Sequence, residues 1–167
     1  MAGAEHSGVE RADGGIFKGR VCFVCPPANA HASAVAAAHD FWTALGCQTV
    51  PIDPEIHDRL MAAQSHLPHV AAFALAAALV PELGFLAGAS SAASPTTSLR
   101  DTTRIAASGP AVWRDILLAN ATYVLPLIRG LAGRVDAIAG AVAAGDGEEL
   151  LRILADGQAC RRWLVKE

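Results

Sequence analysis

The sequence predicts a mainly α-helical fold that follows a small α/β segment near the N-terminus. Alanine accounts for 36 of the 167 residues, and alanine both favours helix and lets helices pack closely. Strand-like runs lie before residue 53, whereas the apolar residues after it recur at helical spacing. We therefore expect a strand–helix–strand segment over residues 1–53 and an all-helical domain over residues 54–167.

The N-terminal segment is predicted to begin as a loop, because residues 1–15 are polar and rich in glycine. Residues 19–26 predict a strand that ends at two prolines, and residues 47–52 predict a second short strand. Between them, residues 31–45 predict a helix ended by Gly46, with an apolar stripe formed by Val35, Ala38, Trp42 and Leu45. This unit is too small to be a domain, so we expect it to be the edge of a larger sheet.

The helical region starts with a strong signal. Asp53 is a suitable N-cap, Pro54 suits the first turn, and Glu55 complements the helix dipole. Pro68 removes an amide and is expected to kink or divide this helix. Residues 69–80 predict an alanine-rich helix that is apolar all round, as in a core or an interface, and residues 84–100 predict a loop.

Two further helices are predicted downstream. The sequence Ser-Gly-Pro at 108–110 predicts a helix start, and the apolar side of that helix comprises Val112, Ile116, Leu117, Val124 and Leu127. Pro126 is expected to bend it, after which the helical spacing continues to Gly145. Asp146 is predicted to start the last helix, which ends at residues 161–163.

Charge and composition argue against several classes of protein. The net charge is −3 and the chain has no basic stripe, which argues against a nucleic-acid partner. The first fifteen residues do not resemble a signal peptide. The uncharged run at residues 67–81 is short for a membrane span. We therefore expect a soluble, cytoplasmic protein with no membrane partner.

The cysteines and histidines do not predict a metal or redox site. Cys22 and Cys25 form a CxxC inside a predicted strand, whereas a redox CxxC would open a helix. The spacing of His57, His66 and His69 matches no familiar metal-ligand pattern. A structural role is the favoured interpretation of the two cysteines, and a metal site is disfavoured for the three histidines.

Two clusters and one aromatic residue are candidate functional positions. Ser65 and His69 flank Pro68 and share a face if the helix continues, so they either bind a ligand or satisfy backbone groups freed at a helix break. Arg104 ends the run Arg-Asp-Thr-Thr-Arg at 100–104, which suits either bidentate recognition of an anion or surface salt bridges. Trp113 is either a core residue or an aromatic wall beside a ligand.

A series of motifs, in order, resembles the prephenate and arogenate dehydrogenases of tyrosine biosynthesis. The resemblance runs from Met1 to about Arg161, and its most specific pieces are Ser-His-Leu-Pro-His at 65–69 and Asp-Thr-Thr-Arg-Ile-Ala at 101–106. The other matching pieces are Met-Ala-Gly-Ala-Glu at 1–5, Ser-Gly at 7–8, Ile-Phe-Lys-Gly at 16–19, His57-Asp58, Trp-Arg-Asp-Ile at 113–116 and Asn120.

The resemblance implies both an architecture and a reaction. The family joins an N-terminal dinucleotide-binding domain to a helical domain that dimerises and closes over the substrate. Residues 1–53 would then be the C-terminal remnant of a Rossmann-like domain, and residues 54–167 the substrate-binding and dimerisation domain. The reaction is NAD- or NADP-dependent oxidative decarboxylation of a cyclohexadienol, in which loss of carbon dioxide creates an aromatic ring.

The resemblance also assigns roles by position. Arg104 matches the arginine that binds the substrate carboxylate, and Glu5 matches the acid that can pair with it. Ser65 and His69 match polar groups that line the substrate site, and Trp113 matches an aromatic residue next to it. A homodimer and a small-molecule substrate, prephenate or arogenate, are the implied partners.

The sequence departs from the family pattern in three ways. It has no GxGxxG turn, so we expect the chain alone not to bind NAD or NADP usefully. The family's catalytic histidine, in a His-Pro pair, would precede Met1, so no catalytic residue is assigned. Ser98 and Leu99 stand where the family usually has Gly-Phe.

Several alternatives stay open at this point. A truncated product, a misplaced start codon and a genuine half-enzyme each explain the missing motifs. The alternatives to an enzyme half are a non-catalytic helical dimer module or remnant that binds an aromatic ligand, and a fragment with no activity of its own. The choices between prephenate and arogenate, and between NAD and NADP, are open as well.

Overall fold

A computed structural model describes residues 13–88 and 95–165. The first element pair is β1 (Val21–Val24) and β2 (Gln48–Pro51), which are parallel and joined through helix α1 (Ala32–Ala44). Val21 is paired with Gln48 and Val24 with Pro51. The predicted strand–helix–strand segment is therefore confirmed, and Gly46 ends the crossover with a φ of 86°, a left-handed conformation that glycine adopts without strain.

Side chains from the α1 stripe and the first loop cover this small sheet. Val35, Ala38 and Trp42 are half-buried, as predicted, whereas Leu45 is exposed. The Phe17 ring packs edge-on against Trp42, with ring centroids 5.5 Å apart. Phe23 of β1 makes a similar edge contact with His57 at 5.7 Å, which ties the sheet to the next helix.

The helical region begins as the sequence predicts. Helix α2 (Pro54–Met61) is capped by Asp53, whose Oδ1 accepts hydrogen bonds from the Glu55 and Ile56 amides at 2.8 and 3.1 Å. A π-turn at Ala62–His66 follows, and helix α3 spans Leu67–Ala78. A 3₁₀ turn at Val80–Glu82 leads into α4 (Leu83–Gly88).

The π-turn accommodates Pro68 without dividing the helix. The Leu67 amide donates to the Ala62 carbonyl, five residues back, and Pro68 has no amide to donate. One extra residue per turn changes the hydrogen-bond register locally, as single π-turns do within α-helices. The predicted disturbance at Pro68 is thus a π-turn immediately before it.

The helical stretch Pro54–Phe85 is long and apolar, with a mean hydropathy of 1.5 over its most apolar 18 residues. Length and composition alone would allow such a helix to cross a bilayer. However, it buries the polar side chains of Ser65 and His69, and α3 packs against the segments at 97–103 and 104–107. Only 11% of that 18-residue window is buried within the described structure, so most of the stretch lies outside a core.

The predicted loop over residues 84–100 is wrong at both ends. Helix α4 extends to Gly88, and helix α5 occupies Thr97–Thr103. Thr96 caps α5 because its Oγ1 accepts a hydrogen bond from the Leu99 amide at 3.3 Å. A 3₁₀ turn at Arg104–Ala107 then continues directly from α5.

The remaining helices are α6 (Pro110–Ala119), α7 (Ala121–Ala144) and α8 (Gly147–Val165). The sequence predicts one helix from residue 108 to 145 with a bend at Pro126, whereas the structure has two helices: α6 ends at Asn120, with φ −109° and ψ 29°, and Pro126 lies inside α7. The predicted apolar side of α6 is also partly wrong: Val112 is 61% exposed, and Trp113 is the buried residue.

The chain divides into two compact units, one ending at Val124 and the other starting at Leu125. In the first unit, the buried apolar side chains among the described residues are Cys47, Ala62, Ala72, Trp113 and Val124. In the second unit they are Ala141 and Ile153.

Candidate functional site

The side chains of His69 and Trp113 form the centre of the candidate site. Helix α3 presents His69 and helix α6 presents Trp113, and the two rings stack with centroids 3.6 Å apart and planes 20° from parallel. Both residues are buried, with 9% and 6% of their surface exposed. Two residues singled out from the sequence, 44 positions apart, are therefore in direct contact.

Ser65 is the third predicted residue in this cluster. It lies in the π-turn, is also 9% exposed, and its backbone carbonyl lies 2.9 Å from His69 Nδ1. Because a carbonyl oxygen only accepts, Nδ1 carries the proton and donates. In the neutral His69 ring, Nε2 is then the nitrogen with a lone pair.

His66 carries its proton on the other ring nitrogen. Its Nδ1 lies 3.1 Å from Asn120 Nδ2, and an amide NH₂ group only donates, so Nδ1 accepts and a neutral His66 carries its proton on Nε2. The His66 ring lies edge-on to Trp113, with centroids 6.1 Å apart. Burial lowers the pKa of His66, which favours this neutral form.

Asn120 connects the site to helix α2. The same amide nitrogen donates to the Asp58 backbone carbonyl at 2.8 Å, and Asn120 is 8% exposed. Nearby, the Tyr123 hydroxyl donates to Glu55 Oε1 at 2.6 Å, and this hydrogen bond raises the pKa of Tyr123. Sequence reasoning noted Asn120 within a motif but did not assign it to the site, because its partners lie 54 and 62 positions away.

Arg104 lies on a neighbouring segment. It begins the 3₁₀ turn at Arg104–Ala107, is exposed, and belongs to a turn that packs against α3, the helix that carries His69. Thr102 and Thr103 donate their hydroxyl protons to the Ser98 and Leu99 carbonyls, each at 2.7 Å. These threonines brace the backbone before Arg104. Glu5 lies outside the described residues.

An apolar groove runs between α3 and α6, beside Trp113. It has a volume of about 440 Å³, and its walls include Val70, Phe73 and Ala77 of α3 and Pro110 and Leu117 of α6. Arg114 at its edge pairs with Asp115 at 2.7 Å. A surface of this chemistry suits an apolar partner better than a small molecule with two carboxylates.

The thiols of the CxxC pair, Cys22 and Cys25, show no sign of activation. Cys22, Cys25, Cys47 and Cys160 are free, and burial raises the pKa of both Cys22 and Cys25, which disfavours the thiolate. In the ranges 13–88 and 95–165, no group of three histidine, cysteine or acidic side chains converges as a metal site would require.

Known proteins match this arrangement in sequence and in fold. Residues 53–156 match the family model described as prephenate dehydrogenase, dimerization domain. The chain belongs to this family. The resemblance identified from the motifs is thereby confirmed, as is the mainly helical fold with a small α/β part.

Individual relatives agree. The cyclohexadienyl dehydrogenase of Zymomonas mobilis is 31% identical over 169 aligned positions, which cover 96% of this chain and 55% of the relative. The prephenate dehydrogenase of Bacillus subtilis is 32% identical, with coverage of 91% and 40%. The chain thus spans about half the length of the curated relatives it matches.

A solved structure of a prephenate dehydrogenase is also similar to this chain. Prephenate dehydrogenase from Aquifex aeolicus, in complex with hydroxyphenyl propionate and NAD⁺, superposes with a TM-score of 0.78 at 29% identity. The match covers 98% of this chain and 57% of that one. The similarity therefore includes the N-terminal α/β part as well as the helices.

Proposed function

We propose that this chain is the substrate-binding and dimerisation half of a prephenate or arogenate dehydrogenase of tyrosine biosynthesis. The observation that carries the proposal is the buried stack of His69 on Trp113, beside Ser65, within the region that matches the family. In this proposal residues 1–53 complete a dinucleotide-binding domain and residues 54–167 form the helical domain. The relatives are biosynthetic enzymes, which supports a cytoplasmic location.

The proposed roles follow from chemistry and position. Arg104 offers a planar guanidinium to the ring carboxylate of the substrate. His69 and Ser65 line the site, and the His69 ring is fixed by Trp113 on one face and by the Ser65 carbonyl at Nδ1. This leaves Nε2 of neutral His69 as the nitrogen that can accept a hydrogen bond from a bound hydroxyl. Glu5 is proposed to pair with Arg104.

The described residues do not fit the pyrophosphate of NAD or NADP. The connection from β1 to α1 contains Pro26 and Pro27 and no glycine, whereas dinucleotide-binding turns need glycine for close backbone approach. The nicotinamide cofactor would accept the hydride in the reaction. We assign the binding of its phosphates to a nucleotide-binding part like that of the longer relatives, and to none of the described residues.

Catalysis can be tested in a chimaera. The part of the Zymomonas relative that precedes the matched region would be joined to this chain, and reduction of NAD or NADP would be followed with prephenate and with arogenate. We expect turnover at least about tenfold above that of either part alone, because only the chimaera holds both cofactor and substrate.

The outcomes of this experiment separate the two functional hypotheses. A folded chimaera that binds NAD or NADP but turns over neither substrate would contradict the proposal. If such a chimaera still bound hydroxyphenyl propionate, a non-catalytic module for aromatic ligands would be the better description.

A homodimer is proposed on two independent observations. The apolar groove between α3 and α6 lies in the first unit. In the second unit, α7 and α8 expose many large apolar side chains, which a partner copy would cover. These exposed residues are Leu125, Val135, Val142, Leu151, Leu154, Trp163, Leu164 and Val165.

We therefore expect a dimer of this chain in sedimentation velocity at tens of micromolar. Leu151→Glu places a charge on the exposed apolar side of α8, where Leu151 is 65% exposed, and should raise the dimer dissociation constant at least about tenfold. Arg161→Glu, an exposed polar position on the same helix, is the matched control. A monomeric chain at that concentration would refute the proposed dimer.

A further inference from the structure

We propose that Asn120 is a positioning residue whose amide holds His66 in the Nε2–H tautomer and so sets which ring nitrogen His66 offers to a bound ligand. The role of the tautomer in ligand binding rests on the proposed function. The tautomer itself does not, because it follows from contacts within the described residues. Neither the family match nor the relatives' names assign a role to Asn120.

The orientation of the Asn120 amide is determined by its two contacts. Nδ2 lies 2.8 Å from the Asp58 carbonyl oxygen and 3.1 Å from His66 Nδ1. A flipped amide would place its own carbonyl oxygen against the Asp58 oxygen, with two acceptors in contact. The NH₂ group instead has two hydrogens for two acceptors, so both contacts are hydrogen bonds with Asn120 as donor.

Burial makes this arrangement selective. Asn120 is 8% exposed and His66 is half-buried, so water competes weakly for either group, and losing a buried hydrogen bond is costly. If His66 carried its proton on Nδ1, two donors would face each other across 3.1 Å. The fixed donor therefore disfavours both the other neutral tautomer and the doubly protonated ring.

The position of Asn120 also explains why an amide is suitable. Asn120 ends α6, one residue before α7 begins. Its backbone N–H donates the last hydrogen bond of α6, to the Ile116 carbonyl. Its side chain reaches α2 at Asp58 and the π-turn at His66. A single NH₂ group thus fixes the end of one helix, the backbone of a second and the ring of a histidine one position from Ser65.

The tautomer can be measured by NMR on the full 167-residue chain with ¹⁵N-labelled histidine. Long-range ¹H–¹⁵N spectra at a pH of about 8, where a histidine of ordinary pKa is neutral, distinguish a protonated ring nitrogen from one with a lone pair. We expect at least about 90% of wild-type His66 to be the Nε2–H tautomer, since a free-energy difference of about 1.4 kcal/mol between the two tautomers corresponds to a tenfold ratio of their populations.

The deciding variant is Asn120→Asp, which has nearly the same shape but replaces the donor by an acceptor. It also loses the hydrogen bond to the Asp58 carbonyl, as Asn120→Ala does, so the difference between the two variants reports the new acceptor beside His66. We expect Nδ1 of His66 to become protonated, and the midpoint of its titration to rise by at least about one pH unit, as beside a new carboxylate. The other titratable groups that act on His66 are Asp58, His57 and His69, and all three remain in this variant. Asn120→Ala removes the donor without adding an acceptor and should give a mixture of tautomers.

A matched control separates this role from helix packing. Tyr123→Phe removes the hydrogen bond from Tyr123 to Glu55, which also joins the start of α7 to α2, but leaves the Asn120 amide in place. We expect it to leave the His66 tautomer unchanged. If folded Asn120→Asp and Asn120→Ala keep His66 as Nε2–H, or if Tyr123→Phe changes it equally, the proposal is wrong.

Failure of a variant to fold, which circular dichroism would reveal, would not leave the proposal untested, because a wild-type His66 with its proton on Nδ1 would refute it without any variant. In the chimaera described above, Asn120→Asp should weaken binding of hydroxyphenyl propionate at least about fivefold, and Tyr123→Phe should not. An inactive wild-type chimaera would count against the proposed function alone, since the NMR measurement needs no ligand.

Discussion

Trp113→Ala is expected to lower the free energy of unfolding by about 3–5 kcal/mol, the usual cost of truncating a buried tryptophan or phenylalanine. Trp113 is 6% exposed, its ring covers the face of His69 at 3.6 Å, and it also lines the groove between α3 and α6. The deletion would therefore leave a cavity at the junction of these helices. Urea unfolding followed by circular dichroism at fixed protein concentration would measure the change.

Two further variants show where that energy originates. Val112→Ala, next to Trp113 but 61% exposed, should change stability by no more than about 0.5 kcal/mol. A double-mutant cycle of Trp113→Ala with His69→Ala should give a coupling energy of about 0.5–1.5 kcal/mol, typical of stacked rings. A loss below about 1 kcal/mol for Trp113→Ala would mean that the stack is not part of the core.

The start of the helical region could be predicted because its determinants are local. Asp53 caps α2 through two hydrogen bonds to the next residues, and the sequence Asp-Pro-Glu is sufficient to predict that. The signal for the end of α1 is also local, since Gly46 directly follows the helix and adopts a positive φ. Signals within four residues of the position they control are those that sequence reasoning uses well.

The break between α6 and α7 could not be placed, because the side-chain contacts of Asn120, where α6 ends, are distant in sequence. A proline within a helical pattern predicts a bend at Pro126, yet the helix ends at Asn120. The Asn120 side chain is held by Asp58 and His66, 62 and 54 positions away. These contacts have no signal in the sequence around Asn120, and Pro126 lies inside α7.

The loop prediction over 84–100 failed for a different reason. Glycine, serine and threonine lower helix propensity, but Thr96 also provides a cap through its side chain, and propensity is a weak determinant when a cap and packing favour helix. Likewise, Thr102 and Thr103 bond to carbonyls three or four residues back. In α5 these residues are part of the helix rather than competitors for its backbone.

The residues of the candidate site were predicted by type but not by geometry, and their role in binding a substrate stays a prediction. Ser65, His69 and Trp113 were singled out from motifs, and they do lie together. The stack, the His66 tautomer and the role of the Asn120 amide depend on how α2, α3 and α6 pack, and they have no local signal because the interacting residues are far apart in sequence. The His69 tautomer, in contrast, follows from a contact with Ser65 only four positions away.

Arg104→Ala is expected to raise the Michaelis constant for prephenate or arogenate at least about tenfold in the chimaera that carries a nucleotide-binding part. The substrates proposed here carry a carboxylate on the ring, and removing one partner of a desolvated charge pair typically costs about 2–5 kcal/mol, or roughly 30-fold to several thousandfold in affinity. Arg104 is exposed, so its partner in the free chain is within reach of water, and we expect the lower end of that range.

The structure supplies the physical basis for a specific effect at this position. Arg104 starts a 3₁₀ turn that packs against α3, and the Ser108 hydroxyl closes that turn by donating to the Ile105 carbonyl at 2.8 Å. The backbone that carries the guanidinium is thus fixed relative to His69. Arg104→Lys keeps the charge but loses the planar two-point contact, so its Michaelis constant should lie between those of the wild type and Arg104→Ala.

Arg100→Ala is the matched control, because Arg100 is an exposed arginine on α5, one helical turn before Arg104. It removes the same charge from the same surface and should change the Michaelis constant less than about twofold. Thermal unfolding should move little in either variant, since both side chains are exposed. A wild-type Michaelis constant for Arg104→Ala, equal effects of Arg100→Ala, or loss of the fold would each show that Arg104 serves the structure and that the substrate carboxylate is bound elsewhere.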